Sequence, residues 1–123
     1  MANGLKLKIH LPAEVFRDVV VDKVQIPSVN GVMTILSERA PGVFILGNGV
    51  IRTLNEKNEI VEKFFVKSGV VEQIFGVCKI MVESIIEYNL MTIEEAQKQK
   101  AISKLEEDKK YYEFIEKTLK ESK

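Results

Sequence analysis

Hydrophobic and polar side chains alternate at the beginning of the chain. From Leu5 to Leu11 every second residue is aliphatic, and the residues between them are polar. A period of two residues places successive side chains on opposite faces of a β-strand. We therefore predict a half-buried strand that opens the fold.

Short runs rich in Val, Ile and Phe follow, and turn-forming residues separate them. Ser68-Gly69, for example, is expected to separate two strands. Many short strands with no helix-length pattern between them predict an antiparallel β-sandwich, or a barrel, over residues 1–88, and not a parallel sheet with crossover helices. The runs cover residues 19–26, 32–36, 43–46, 50–54, 60–66, 70–75 and 77–86.

Residues 89–123 have a different pattern, with apolar residues at helical spacing and no Gly or Pro. Thr92 and Glu95 have the spacing of a capping box, which starts a helix. Oppositely charged pairs four residues apart, such as Glu113 with Lys117 and Glu116 with Lys120, support it. We predict a C-terminal α-helical hairpin that turns within residues 106–110, with one long helix as the alternative.

Composition narrows the classes of function. The chain has 123 residues, and 18 basic and 18 acidic side chains balance to a net charge of zero. Such a chain has no long-range field for nucleic acid or anionic lipid, so neither is an expected partner. No apolar run reaches the roughly 18 to 20 residues that a membrane span needs, so we expect a soluble, unexported chain.

The chain offers little catalytic chemistry. His10 is the one histidine and lies on the polar face of the first strand, so a surface role is expected. The single cysteine, Cys78, is spaced by two from Ile80 and is expected to be a buried structural thiol. We expect no catalytic residue, no metal site and no cofactor.

Three aromatic residues lie close together in the helical segment: Tyr111, Tyr112 and Phe114. They exceed what one narrow apolar stripe requires. We expect this helix to dock on its own sandwich or on a partner.

Several short segments form a series along most of the chain. In this order and spacing they resemble the epsilon subunit of rotary F-type ATP synthase, whose mitochondrial counterpart is called delta. The segments are Leu5–Ile9, Pro12–Phe16, Val21–Pro27, Asn30–Leu36, Arg39–Pro41, Gly49–Arg52, Phe65–Gly69 and Ile80–Ser84.

The resemblance implies a β-sandwich followed by a helical hairpin, in agreement with the fold that the residue pattern predicts. It also implies a non-catalytic central-stalk rotor subunit that links the gamma subunit to the c-ring and couples proton translocation to ATP synthesis. In many members the helices can extend toward the catalytic alpha and beta subunits and block ATP hydrolysis. Such a subunit is peripheral at the cytoplasmic face of the inner membrane, which it reaches only through the complex.

Two stretches match the family segment that faces the c-ring and the foot of the gamma subunit. Gly31, Val32 and Met33 form one stretch, and Ser37, Glu38 and Arg39 form the other. Val32 stands where the family often has an acid, and residues 37–39 replace a usual Pro-Gly-His. Gly31 is equally well explained as a turn residue with positive φ.

Some bacterial members bind ATP through a motif at a helix start, which matches residues 93–98. Glu94 keeps the carboxylate, but Gln97 replaces the arginine. Without the guanidinium the chain loses a bidentate phosphate contact, so we predict no ATP binding. The alternative function is a free-standing ligand-binding β-sandwich that forms a homodimer through its helices. An enzyme would require a perturbed carboxylate pair in a sandwich pocket.

Overall fold

The computed structural model describes residues 4–121, in two compact units that divide between Ile85 and Ile86. The strands begin in the first unit, and both α-helices lie in the second. The boundary predicted after residue 88 falls inside a short 3-10 helix at Tyr88–Leu90. The elements are β1 (Leu5–His10), β2 (Val15–Val21), β3 (Lys23–Ser28), β4 (Gly31–Ile35), β5 (Gly42–Leu46), β6 (Gly49–Leu54), β7 (Ile60–Ile74), β8 (Val77–Glu87), α1 (Ile93–Ile102) and α2 (Glu106–Glu121).

The strands form two layers of a sandwich, which confirms the predicted class of fold. One layer has the order β4, β3, β6 and the first half of β7; the other has the order β2, β1, β8, the second half of β7 and β5. One pairing is parallel, between β1 and β8. It needs no crossover helix because the rest of the sandwich connects these two strands.

Side chains from both layers meet in one apolar core. The alternation along β1 sends Leu5, Leu7 and Ile9 inward, where all three are fully buried. They join Ile51 and Phe64 of the other layer in a single cluster. Burial of each such side chain is worth about 1.5–3 kcal/mol, so the inward faces supply most of the stabilisation.

A polar side chain with an amide group is also buried, on the same face of β7 as the core residue Val71. Gln73 is 1% exposed, opposite Gly42 of β5. Within residues 4–121 neither its amide nitrogen nor its amide oxygen has a hydrogen-bond partner. Burial of an amide in this state costs free energy, so the core carries a local penalty at this position.

The apolar run at residues 19–26 is not one strand, as the pattern indicated, but parts of two. A bend at Asp22 separates β2 from β3. The division has a physical reason: β2 pairs with β1 in one layer and β3 pairs with β6 in the other. A single straight strand cannot pair in both layers.

The predicted break at Ser68-Gly69 is also wrong, because β7 continues through it for 15 residues. Val66 still pairs with Gly49 of β6, whereas Gly69 already pairs with Leu46 of β5. Ser68 has a φ of 27° at this point, and its N–H donates to Asn48 Oδ1 at 3.2 Å. The turn-forming residues therefore bend β7 from one layer into the other without ending it.

Gly69 sits where this bend brings two backbones together. A Cβ atom here would lie 2.3 Å from the carbonyl oxygen of Met81 and 3.1 Å from Val82 Cα, both in β8. A backbone oxygen cannot move aside as a side-chain tip can. Glycine is thus required for the close approach of β7 and β8.

We predict that Gly69→Ala lowers the free energy of unfolding by about 3 kcal/mol, the upper range for overpacking of a well-packed site. Gly47→Ala is the matched control, because its Cβ would have no neighbour closer than 3.9 Å. Urea unfolding of both variants tests this. Equal stabilities would show that the close approach is not a constraint.

The second unit is a helical hairpin, as predicted, and the alternative of one long helix is wrong. The hydroxyl of Thr92 accepts the N–H of Glu95 at 3.0 Å, as the capping box requires. The helices break at residues 103–105, where the Ser103 hydroxyl donates to the Gln99 carbonyl. No described helix is long and apolar enough to cross a membrane.

The hairpin turns earlier than residues 106–110, the position predicted. Glu106, Glu107 and Asp108 instead form the first turn of α2. Acidic side chains are favoured there because they face the positive end of the helix dipole. A run of acids after an apolar stripe therefore begins a helix here instead of interrupting one.

Candidate functional site

The β3–β4 hairpin carries the first of the two predicted contact stretches. Ser28 and Gly31 are paired across a turn made by Val29 and Asn30. The Ser28 hydroxyl accepts the N–H of Asn30 at 2.9 Å. Gly31 has a φ of 119°, a conformation that side chains other than glycine rarely adopt. The turn role that the sequence allowed for Gly31 is confirmed.

The turn and the two strands β4 and β5 expose aliphatic side chains, which we together call the hairpin patch. Val29 and Val32 are 61% and 67% exposed, and Val43 and Ile45 of β5 are 64% and 54% exposed. The Val29 N–H donates to the Ile45 carbonyl at 3.0 Å, which joins the turn to β5. Exposed aliphatic residues on regular strands indicate a surface that a partner can cover.

Met33 has a different position from its neighbours. It lies opposite Ile26 and packs against the apolar core. Its side chain therefore supports β4 from inside, while Val32 points outward.

The second predicted stretch lies at the other end of β4. The rise of about 3.3 Å per strand residue separates Gly31 from Ile35 by about 13 Å. Beyond it, the Ser37 hydroxyl donates to Glu38 at 3.0 Å, and the Ser37 carbonyl accepts the N–H of Gly76 at 3.1 Å. The Arg39 guanidinium lies 5.1 Å from the centre of the Phe44 ring. The two stretches therefore lie at opposite ends of β4 and do not converge on one point.

Val43 and Ile45 are not among the contact residues that the sequence predicts. A signal was present, because every residue from Val43 to Leu46 is apolar. On a strand whose inner face is already filled by Phe44 and Leu46, an apolar outer face indicates a second surface to be covered. The sequence pattern alone predicts only a strand over residues 43–46.

In the second unit the three aromatic residues of α2 are not buried to the same extent. Tyr111 is 1% exposed and joins Ile115 and Leu119 in the buried stripe of α2, whereas Tyr112 and Phe114 are half-buried. The Tyr111 and Tyr112 ring centres are 5.4 Å apart. That these residues dock the helix stays a prediction.

A polar clasp joins the two helices on their exposed side. Lys100 Nζ lies 2.8 Å from Glu113 Oε2, and Gln97 Nε2 donates to Glu116 Oε2 at 2.9 Å. Lys120 also contacts Glu116, at 2.8 Å. Gln97 stands where the ATP-binding motif has arginine, and here it binds a carboxylate of α2. Glu94 is exposed.

The contacts of the clasp shift the pKa values of its charged side chains. The hydrogen bond from Lys100 lowers the pKa of Glu113, and hydrogen bonds from Lys120 and Gln97 lower the pKa of Glu116. The bond to Glu113 correspondingly raises the pKa of Lys100. Each lowered carboxylate pKa stabilises the folded hairpin above the ordinary value of 4.5, and this contribution is lost as the pH falls through the lowered pKa.

We therefore expect the helical unit of the full chain to lose stability as the pH falls below 4.5. Glu113→Gln should reduce that pH dependence, since one of the two shifted carboxylates is removed. Glu121→Gln, which removes an exposed carboxylate outside the clasp at the end of α2, is the matched control. Urea unfolding followed by the helical circular dichroism signal measures this. A pH dependence unchanged in Glu113→Gln would contradict a role for the clasp.

Cys78 faces the core from β8, whereas His10 faces outward from β1. Cys78 is fully buried, and burial raises its pKa to about 12, which confirms a structural thiol that stays protonated at neutral pH. His10 faces outward, as predicted for the polar face, but it is half-buried. Within the described part of the chain no three His, Cys, Asp or Glu side chains group to hold a metal ion.

The strands and helices define a β-sandwich domain that is followed along the chain by a helical hairpin. A family model described as "ATP synthase, Delta/Epsilon chain, beta-sandwich domain" matches residues 4–88. The chain therefore belongs to the delta/epsilon subunit family of ATP synthase. The family is that of a stalk component and not of the catalytic chain.

Solved structures share the fold. A chain of the Euglena gracilis mitochondrial ATP synthase, from its OSCP/F1/c-ring assembly, is 17% identical with a TM-score of 0.65, over 91% of this chain and 74% of that chain. A chain of the Tetrahymena thermophila mitochondrial ATP synthase, from its central stalk and c-ring, is 13% identical with a TM-score of 0.67, over 96% of this chain and 95% of that chain. The comparison with curated proteins finds no match.

Proposed function

We propose that the chain is a rotor subunit that links the gamma subunit to the c-ring of an ATP synthase and so couples proton translocation to ATP synthesis. The match of the sandwich to the family model carries this proposal, and the exposed hairpin patch supports it. The similar solved chains come from assemblies that contain a central stalk or a c-ring. The protein would be peripheral at the cytoplasmic face of the inner membrane, held there by the complex.

The patch suits a contact that transmits motion. Val29 and Val32 stand on a short hairpin whose inner side is fixed by Ile26 and Met33 in the core. A partner bound there meets a surface that cannot swing independently of the sandwich. We assign the contact to the hairpin patch together with Gly31, and to Ser37, Glu38 and Arg39 at the far end of β4.

The contact at the patch would be made by apolar burial. Val32 replaces the acid that is frequent in the family, and the net charge of the chain is zero. Burial of apolar area contributes about 25 cal/mol per Å² and is little affected by salt, unlike an exposed ion pair. Binding to the gamma subunit and c-ring should therefore persist at high ionic strength.

We expect Ile45→Asp to weaken binding to the matching gamma subunit and c-ring by at least about tenfold, because it buries a charge in an apolar contact. Ile60→Asp is the matched control: Ile60 is 52% exposed against 54% for Ile45, and it pairs with Leu54 at the far end of β6. Titration of labelled variants measures both affinities.

Two results would count against the proposal. A wild-type chain that forms no stoichiometric complex with the gamma subunit would overturn the function itself. Equal binding by the two aspartate variants would keep the function but remove the hairpin patch from the contact.

The helices are the proposed regulatory part. The clasp that closes the hairpin consists of partly exposed groups, such as Lys100 and Glu113, and ion pairs in contact with solvent stabilise weakly. The clasp therefore adds little to the cost of opening, and the buried stripe with Tyr111, Ile115 and Leu119 would be covered in the open state by the catalytic alpha and beta subunits. We infer that the opened helices restrain ATP hydrolysis.

Deletion of residues 92–123 tests the regulatory part. We expect the assembled complex with the shortened chain to hydrolyse ATP severalfold faster than the complex with the full chain. The charge reversal Lys100→Glu, which breaks the clasp without shortening the chain, should favour the open helices and slow hydrolysis. An unchanged rate in the shortened complex would leave the chain as a linker without an inhibitory role.

The alternative of a free-standing ligand-binding sandwich is not favoured, because the family match covers the sandwich itself. The lack of ATP binding remains a prediction. It is consistent with the hydrogen bond that Gln97 donates to Glu116.

A further inference from the structure

We propose that β4 is completed in the assembled complex by an extended segment of a neighbouring stalk subunit, which pairs with its free edge as an added β-strand. The inference rests on the proposed function, since it names how the contact at Gly31–Ile35 is made. β4 lies at the end of the strand order and pairs only with β3 within the described chain.

The register shows which backbone groups of β4 face outward. Pro27 is paired with Val32 and has no N–H to donate. In an antiparallel ladder, hydrogen-bonded and non-hydrogen-bonded pairs alternate, so this pair and the pair of Gln25 with Thr34 are the non-hydrogen-bonded ones. The N–H and C=O groups of Val32 and Thr34 therefore point away from β3.

These outward groups are accessible and unused. Val32 is 67% exposed and Thr34 is also exposed. Among the described residues the backbone bonds made outside the strand ladders include neither of their N–H groups. Such a row of free donors and acceptors is a template for β-strand addition.

The edge also lacks the features that usually prevent strand addition. Edge strands are commonly protected by charged side chains, proline or bulges. β2, at the other end of the strand order, contains Arg17 and Asp18 and pairs with β1 through a bulge. β4 has the sequence Gly-Val-Met-Thr-Ile, with no charge, no proline and a regular register. Of the two terminal strands, β4 is the one open to pairing.

A segment of another subunit is the expected occupant, and not a second copy of this chain. β4 is five residues long, and only Val32 and Thr34 offer outward backbone groups. A stable dimer typically buries about 1,200 Å² or more, which so short an edge cannot supply alone. A neighbour already held by the hairpin patch presents its segment at high effective concentration, so a few backbone bonds are sufficient.

Thr34→Pro tests the inference. Proline removes the outward N–H of Thr34 and fills the edge with its ring, while the bonds that Met33 and Ile35 make to β3 are kept. The control is Thr34→Val, which keeps the N–H and, like the proline variant, loses the hydroxyl that accepts from Gln25 at 3.5 Å. We expect binding to the matching gamma subunit and c-ring to fall about tenfold for Thr34→Pro and less than about twofold for Thr34→Val.

Hydrogen exchange of the wild-type chain gives an independent readout, because its expected pattern alternates. The amides of Val32 and Thr34 should exchange fast in the free chain and become protected in the complex, whereas the Met33 amide should be protected in both. Side-chain contact alone would not protect alternate amides in this way.

Each outcome decides a separate claim. No complex with the wild-type chain would overturn the proposed function. A wild-type complex in which Thr34→Pro binds as tightly as Thr34→Val, both with unchanged unfolding midpoints, would overturn strand addition alone. A wild-type dimer that Thr34→Pro dissociates would show that the edge pairs with a second copy and would overturn the choice of partner.

Discussion

The passage of β7 from one layer to the other is the constraint on which the sandwich depends. Before Ser68 this strand pairs with β6, and from Gly69 onward it pairs with β5. Gly69 allows this because its missing Cβ leaves room for the carbonyl of Met81. The inward faces of both layers, with Phe64 and Val66 before the bend and Val71 after it, can then enter one core.

The surface proposed for the partner follows from the same packing. Because Ile26, Met33 and Leu46 point into the core, the residues between them on β3, β4 and β5 point outward. Val32 and Ile45 are exposed for this reason, because side chains alternate between the two faces of each strand. The sandwich therefore sets the geometry of the contact, while the side chains at those positions set its chemistry.

The class of fold and the helix start could be predicted because their signals are local. The alternation from Leu5 to Ile9 and the cap at Thr92 each lie within a few residues. The bend at Asp22 and the continuity of β7 could not, because each depends on which distant strand becomes the neighbour. Propensity marks Ser68-Gly69 as a turn, but pairing with two different strands overrides it. The amide of Gln73 shows the same limit, since nothing in its neighbours along the chain indicates burial.

Of the proposed contact residues, some could be predicted from the sequence and others could not. Gly31 and Val32 could be found from the turn signal and the family resemblance, whereas Val43 and Ile45 join them only through a hydrogen bond between Val29 and Ile45. The family resemblance predicts Ser37 and Arg39 in the same contact segment as Gly31. An extended strand between them separates what the sequence places close together.

The parallel pairing of β1 with β8 has a consequence for synthesis of the protein. β1 is made first, yet its partners Cys78 and Ile80 are among the last sandwich residues to be made. Leu5, Leu7 and Ile9 therefore remain without half of their final neighbours while the chain is translated. Contacts between residues so far apart in sequence form slowly, and unpaired strands expose apolar surface meanwhile. The ribosome must release almost the whole sandwich before its first strand can be enclosed on both sides.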